Sequence, residues 1–361
     1  MRVLHVTPTY FGERSYIGGG ERYACELARA MAGHAEVTLL SFADEPARYT
    51  DGPLRVEHVV RGGLIKHPLY ANPFSRRLAK WVRWADVIHC HQAHTIATDA
   101  AIILGKLFRK RIFVTDLGGG HKYVPSNYLP LLSRVNALLL ISEYSKKLWE
   151  QVPRRQRPGR MEVIYGGVDA AMFPANGVPR GRAALFVGRL LPHKGVDYLI
   201  DAVVPPLALD VVGRVYNEDY FKLLNEKSEG KTVRFHTSLG DGELSEKYRR
   251  ALATILPSVY ENCYGQHTLV PELLGLVALE SLASGTPVIL TDVASLPELV
   301  EDGVTGFLVP PNDPRAIREK LKYLHDNPEI AEAMGRRGRE VVRNKFTWDA
   351  VARRCLEAYC R

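Results

Sequence analysis

Two glutamates, Glu272 and Glu280, stand eight positions apart across a glycine in Glu272-Leu273-Leu274-Gly275-Leu276-Val277-Ala278-Leu279-Glu280. An apolar run and a Gly285-Thr286-Pro287 turn follow. The apolar spacing predicts a helix over 276–284, with Glu280 inside it and Glu272 in the loop that feeds it. A helix start offers free N–H groups and a positive dipole end, which suit an anion. A carboxylate on each side of that start can accept hydrogen bonds from hydroxyls. Diphosphate at the amides and hydroxyls at the carboxylates would describe a nucleotide sugar.

A second constellation lies upstream. Leu185-Phe186-Val187 reads as a strand that runs into Gly188-Arg189, and Lys194-Gly195 opens the next helix. Open α/β sheets place ligands at such strand ends. A guanidinium can fork two phosphate oxygens and an ammonium adds a point charge. The chain contains no Asp-x-Asp with which to hold a divalent cation, and Asp241-Gly242-Glu243 reads as an acidic first helical turn. The expectation is therefore no metal and no cofactor, with charge supplied by Arg189, Lys194 and helix amides.

Leu256-Pro257-Ser258 precedes the paired glutamates, and Pro297-Glu298 and Asp302-Gly303-Val304-Thr305-Gly306-Phe307 follow them. In order, spacing and residue type, nearly the whole chain resembles the retaining glycosyltransferases of family 4, group 1, with the GT-B fold. That resemblance implies two doubly wound Rossmann-like domains with a cleft between them. It implies transfer of a sugar from a nucleoside-diphosphate sugar (UDP or GDP) to a hydroxyl acceptor, with retention by front-side attack. Glu272 would accept from donor-sugar hydroxyls and Glu280 from the ribose. The amides of Gly275, Leu276 and Val277 would meet sugar and diphosphate, and Gly188, Arg189 and Lys194 the departing diphosphate. The family's Pro-Ser usually lies only a few residues before its first Glu. Here Glu261 holds that near position and Glu272 comes eleven residues later, so Glu261 is a rival.

In the first half, Gly18-Gly19-Gly20-Glu21 opens a helix. The resemblance turns this loop toward the donor diphosphate and the acceptor. Thr115-Asp116-Leu117-Gly118-Gly119-Gly120-His121 ends a strand. His121 matches the family's histidine near the reacting sugar, with His91 as runner-up. Asp116 is the carboxylate nearest an acceptor hydroxyl, or a cap. His89-Cys90-His91-Gln92-Ala93-His94 could suggest a metal, but a strand–loop junction gives its rings poor convergence. Ser142 reads as the cap of a helix over 143–150.

Short β-branched runs alternate with helical patterns, which argues for parallel sheets covered on both faces. Strands are expected over 2–7, 35–41, 54–60, 86–90, 111–115, 137–141 and 161–164, then over 183–188, 207–212, 232–236, 253–257, 287–290 and 307–309. Gly and Pro punctuate a linker at 165–182. The expected domains are an acceptor domain at 1–168 and a donor domain at 169–344. A final helix within 345–361 would cross back to the first domain. The five cysteines are scattered, and no apolar run reaches membrane-spanning length, so a cytoplasmic protein is expected. Residues 1–168 hold 24 Lys and Arg against 14 Asp and Glu, whereas 169–361 hold 24 against 26. A basic first half suits either solubility or weak peripheral contact with an anionic membrane, and nothing recognisable suits nucleic acid. A nucleotide-sugar epimerase of the same fold and a silent sugar-binding subunit are the rival functions. A Rossmann dehydrogenase lacks its Gly-x-Gly-x-x-Gly fingerprint.

Overall fold

A computed structural model describes residues 1–11, 19–60, 62, 72–118, 120, 123–174 and 180–361. The chain divides into two compact units, Met1–Gly167 with Trp348–Arg361, and Val168–Thr347.

In the first unit the strands are β1 (Arg2–Phe11), β2 (Glu36–Ala43), β3 (Ala47–Asp51), β4 (Leu54–Val60), β5 (Val87–His91), β6 (Arg111–Asp116), β7 (Ala137–Leu140) and β8 (Met161–Val163). Its first four helices are α1 (Gly19–Met31), α2 (Leu78–Trp84), α3 (Ile96–Leu107) and α4 (Glu143–Glu150). The sheet order is β3-β4-β2-β1-β5-β6-β7-β8. Every pair is parallel except β3 with β4. The sequence reading missed β3, a polar and mostly exposed edge strand without alternating apolar residues. α2 starts only at Leu78, because Ser75 just upstream bridges Gly62, whose N–H donates to Phe74 O.

The two-residue period of strands sorts the core. Leu4, Val6, Ile88 and Cys90 join α2 and α3 through Leu78, Trp81, Ala97 and Ile102. His5, His89 and His91 alternate with them and face the other side, where His5 meets Met31 of α1. Ser142 caps α4, accepting from Ser145 N at 3.1 Å.

The second unit builds a wholly parallel six-stranded sheet of β9 (Ala183–Val187), β10 (Ala208–Val212), β11 (Val233–His236), β12 (Thr254–Leu256), β13 (Val288–Thr291) and β14 (Gly306–Val309). Its helices are α5 (Val196–Ala202), α6 (Glu218–Ser228), α7 (Asp241–Arg250), α8 (Leu276–Ala283), α9 (Pro314–Asp326) and α10 (Pro328–Lys345). α5 packs with α6 and α9, while α8 packs with α7 and α10. The last helix, α11 (Trp348–Cys360), belongs to the first unit and lies against α1.

Sheet order locates the places where ligands can enter. In the second unit the order is β11-β10-β9-β12-β13-β14, so successive strands leave β9 in opposite directions and a crevice opens between the ends of β9 and β12. In the first unit the same reversal falls between β1 and β5. No helix among the described residues is long and apolar enough to cross a membrane.

Candidate functional site

The β9/β12 crevice collects most of the residues singled out in the second half. After β9 come Gly188 and Arg189, then a 3-10 turn over Pro192–Lys194 that ends in Gly195 at φ +66°. A Cβ on Gly195 would lie 2.0 Å from the carbonyl oxygen of Pro257, so only glycine lets this turn settle on the end of β12. There Val259 N donates to His193 O at 2.9 Å. The turn delivers Lys194, whose Nζ donates to Glu272 Oε2 at 2.6 Å and to Pro271 O at 3.2 Å. The two side chains are 13% and 18% exposed, so this ion pair is largely withdrawn from water. Burial, together with the Lys194 and Arg189 cations, pushes His193 down to about 4, leaving a neutral imidazole at neutral pH. Arg189 is exposed, with its guanidinium 5.8 Å from the Tyr216 ring centre.

Gly275 caps α8 at φ +75°. The first helical turn after it carries Leu276 and Val277, where backbone N–H groups lack intrahelical partners. One turn further, Glu280 Oε2 accepts from Tyr248 OH at 2.7 Å. Tyr248 comes from α7 and is fully buried. Sequence reasoning missed Tyr248 and His193. An apolar-face tyrosine on a helix gives no warning of a carboxylate 32 residues away. His193 sits directly before Lys194, and its neighbours were signal enough.

The loop between Pro257-Ser258 and Glu272 folds as a small hairpin. Thr268 N donates to Tyr260 O at 2.8 Å, Asn262 N to Gln266 O at 3.0 Å, and the Tyr260 and His267 rings stack. Tyr260 OH accepts from Ala294 N, which ties the hairpin to the segment after β13. The exposed Glu261 is bridged to His267, and its carbonyl accepts from Asn312. Glu272, not Glu261, is the carboxylate joined to Lys194.

In the first unit Gly18 and His121 lie outside the described residues. Gly19 begins α1, and a Cβ on Gly20 would meet Leu117 at 3.6 Å, so the helix start stands beside the segment after β6. The Asp116 carboxylate accepts from Gln92 Nε2 at 3.1 Å, Gly118 N at 3.3 Å and Trp149 Nε1 at 2.8 Å. These contacts match the cap alternative. Gln92 at φ +91° and His94 at φ +53° hold left-handed backbone between β5 and α3, a strained stretch at a strand end.

The histidines need a correction. His89 and His91 do converge, not with His94 but with His5, which sequence reasoning left out. Strand alternation puts all three on one face, with ligand-capable nitrogens within 4.8 Å of one another. His5 Nδ1 and His91 Nε2 share a hydrogen bond of 2.8 Å, and His89 bonds Thr115 at 2.7 Å and Tyr359 OH at 2.6 Å. Burial pushes His5 down to about 3 and His89 and His91 well below the ordinary histidine value. Five of their six nitrogens have partners within the triad or on Met31, Thr115 and Tyr359, whereas Nδ1 of the fully buried His91 has none among the described residues. His94 instead stacks on Trp149.

Comparisons with known proteins agree with this architecture. The sequence model for Glycosyltransferase Family 4 matches residues 17–171, and that for Glycosyl transferases group 1 matches residues 170–341. A D-inositol 3-phosphate glycosyltransferase of Streptomyces avermitilis is 32% identical over 228 residues, covering 56% of this chain and 47% of that protein. The chain thus spans about half the length of that relative and of its Streptomyces griseus counterpart. A glycogen synthase of Mycobacterium tuberculosis is 28% identical over 297 residues, covering 76% of this chain and 68% of that protein. Sucrose-phosphate synthase of Thermosynechococcus elongatus superposes with a TM-score of 0.72 at 21% identity, over 100% of this chain and 98% of that one. Anabaena HepE in complex with UDP-glucose superposes with a TM-score of 0.72 at 18% identity, over 100% and 99%. With family models matching from residue 17 to residue 341, and with two parallel-sheet α/β units of the GT-B kind, this chain belongs to the group 1, family 4 glycosyltransferases.

Proposed function

We propose that this protein transfers a sugar from a nucleoside-diphosphate sugar to a hydroxyl acceptor, and that residues 168–347 hold the donor. The observation that carries the reading is the Lys194–Glu272 ion pair in the β9/β12 crevice, just before the Gly275-capped start of α8. A diphosphate there would take Lys194 and the exposed Arg189. Glu272, released from its cation, would accept from sugar hydroxyls, and the amides of Leu276 and Val277 would meet the anion. Glu280 would receive the ribose. The UDP-glucose complex of the HepE neighbour makes UDP-sugars the first donors to test.

The reaction breaks the bond between the anomeric carbon and the diphosphate oxygen and forms one to the acceptor oxygen. The acceptor proton passes to the departing diphosphate, and retention follows from attack on the face the diphosphate leaves. Arg189 and Lys194 stabilise the charge growing on that group without a divalent cation. His121 is assigned to the positive charge developing on the sugar ring. The acceptor belongs to residues 1–167, around Gly18, Gly19 and Gly20 and the Asp116 loop, and the protein works in the cytoplasm.

Isothermal calorimetry with UDP and GDP, followed by donor turnover with and without acceptor extracts in EDTA, tests this. Micromolar nucleotide binding and acceptor-stimulated release of nucleoside diphosphate are expected. An isomerised nucleotide sugar would point to an epimerase, and binding without turnover to a silent subunit. Loss of activity in EDTA that Mg²⁺ restores would overturn the metal-free scheme.

A further inference from the structure

α2 and α3 lie side by side on one face of the first sheet, tied at both ends. Asn72 Oδ1 accepts from Ile96 N at 2.7 Å at the start of α3. At the other end Lys110 Nζ donates to Arg83 O at 2.9 Å, and the Arg83 guanidinium lies over Phe108. The outer surface of this pair is unusual in two respects. Arg76, Arg77, Lys80 and Arg83 recur at helical spacing and are all exposed, as are Lys106 and Arg109 on the α3 side. Among them Ile103 and Leu107, one turn apart on α3, are 52% and 70% exposed. The 3-10 turn Pro125–Asn127 packs against α3, with Ser126 N bonded to Asp99, and directly after it Tyr128 and Leu129 are 71% and 54% exposed.

Among the described residues, little negative charge lies near these cations in the chain. Between residues 72 and 115 the sequence holds two carboxylates, Asp86 and Asp99. Asp86 is paired with Arg2, and Asp99 is 2% exposed beneath Ser126. Arg111, grouped with Arg109 and Lys110 in the sequence, points elsewhere and donates to Tyr359 O.

We propose that this α2–α3 face is a docking surface for an anionic phospholipid bilayer. A solvated helix face accounts for the cations but not for two bare aliphatic side chains set among them. A polyanion such as RNA would use the cations and would favour aromatic stacking over Ile103 and Leu107. A bilayer uses both chemistries at once. Phosphate headgroups meet the Arg and Lys side chains, while Ile103, Leu107 and Leu129 enter the acyl boundary and Tyr128 sits at the headgroup level. The contact is weak and reversible, and it holds whichever donor or acceptor the protein uses.

The full-length protein, sedimented with vesicles of phosphatidylglycerol and phosphatidylcholine, tests this against vesicles of phosphatidylcholine alone. Binding is expected only to the anionic vesicles and should fade above physiological ionic strength, ~0.15 M. Each charge reversal among Arg76→Glu, Arg77→Glu, Lys80→Glu and Lys106→Glu should weaken binding by at least about fivefold, the effect of one cation at an anionic surface. The pair Ile103→Ser and Leu107→Ser should weaken vesicle binding but leave retention on a heparin column unchanged. All variants should keep wild-type affinity for the nucleoside diphosphate, which shows that they are folded and separates failure here from failure of the donor reading. Protein remaining in the supernatant at low salt overturns the proposal. Vesicle binding indifferent to Ile103 and Leu107 also overturns it, in favour of a plain polyanion surface.

Discussion

At the scale of single residues, the donor reading turns on what each carboxylate does without a ligand. Glu280 is already oriented by the buried Tyr248 hydroxyl. Tyr248→Phe should therefore weaken nucleoside-diphosphate binding by about tenfold, the weight of one hydrogen bond to a charged group, while kcat changes little. Glu280→Gln should cost more, because it removes the charge that the ribose hydroxyls meet. Calorimetry showing equal affinity for wild type and both variants would remove Glu280 from the site. Arg189→Ala and Lys194→Ala should behave differently. Each should lower kcat by about 10²–10³ with a smaller change in donor affinity, since their charges count most as the diphosphate departs. A pure KM effect would make them ground-state contacts only. Gly195→Ala tests the scaffold beneath them. Its Cβ would fall 2.0 Å from Pro257 O at φ +66°, so we expect destabilisation of more than ~2 kcal/mol by urea denaturation.

At the scale of elements, the buried His5–His89–His91 group fastens α1 and α11 to the sheet and makes that seam sensitive to acid. These rings are neutral in the fold because burial depresses them, His5 to about 3. In the unfolded chain each takes a proton as pH falls through about 6.5. The unfolded state then binds more protons, so the seam's full stability holds above about pH 6.5 and drains away below it. The slope is about 1.4 kcal/mol per pH unit for each ring that stays neutral. Urea midpoints followed by the fluorescence of Trp348, which packs edge-on against Tyr23, should fall steeply between neutral pH and about pH 5. A flat profile would contradict the buried neutral triad. The same seam shows where sequence reading stops. The alternation of strands and helices was legible because each buried strand is a short apolar run, and the Ser142 cap was legible because its chemistry is local. Poor convergence was expected of the His89–His94 stretch, but β5 runs through His91, so alternation puts His89 and His91 on one face, and His5 joins them from 84 residues before the nearer one. The polar edge strand β3 gave no periodic signal, and the partnership of Tyr248 with Glu280 depends on how α7 crosses α8. In the candidate site, Gly188, Arg189, Lys194, Glu272 and Gly275 were legible because the crevice follows from strand order, and strand order follows from alternation.

At the scale of the whole molecule, the chain passes between its two units twice, after Gly167 and after Thr347. Within the second unit these points are neighbours, since Val168 bridges Thr347 and its N–H donates to Phe346 O at 2.8 Å. The C-terminal helix is therefore not an appendage. It buries Trp348, Val351, Ala352, Cys355, Ala358 and Tyr359 in the first unit. Arg111 and Arg160 bind its last carbonyls, at Tyr359 and Ala358. At about 1.5–3 kcal/mol for each large apolar side chain, α11 contributes on the order of 8 kcal/mol, comparable with the ~5–15 kcal/mol that holds a domain together. Removing residues 348–361 should accordingly unfold the first unit, exposing Trp81, Trp84 and Trp149 to solvent and shifting their emission to the red. All donor residues assigned here lie within 188–280, so the truncated chain should still bind the nucleoside diphosphate, and the unit's thermal transition should rise with ligand concentration by mass action. Tyr359→Phe, which loses only the hydroxyl held by His89, should give a graded loss of about 1–3 kcal/mol in the first unit and none in nucleotide affinity. A truncated protein whose tryptophan emission and urea midpoint match the full chain would show that α11 does not hold the first unit together.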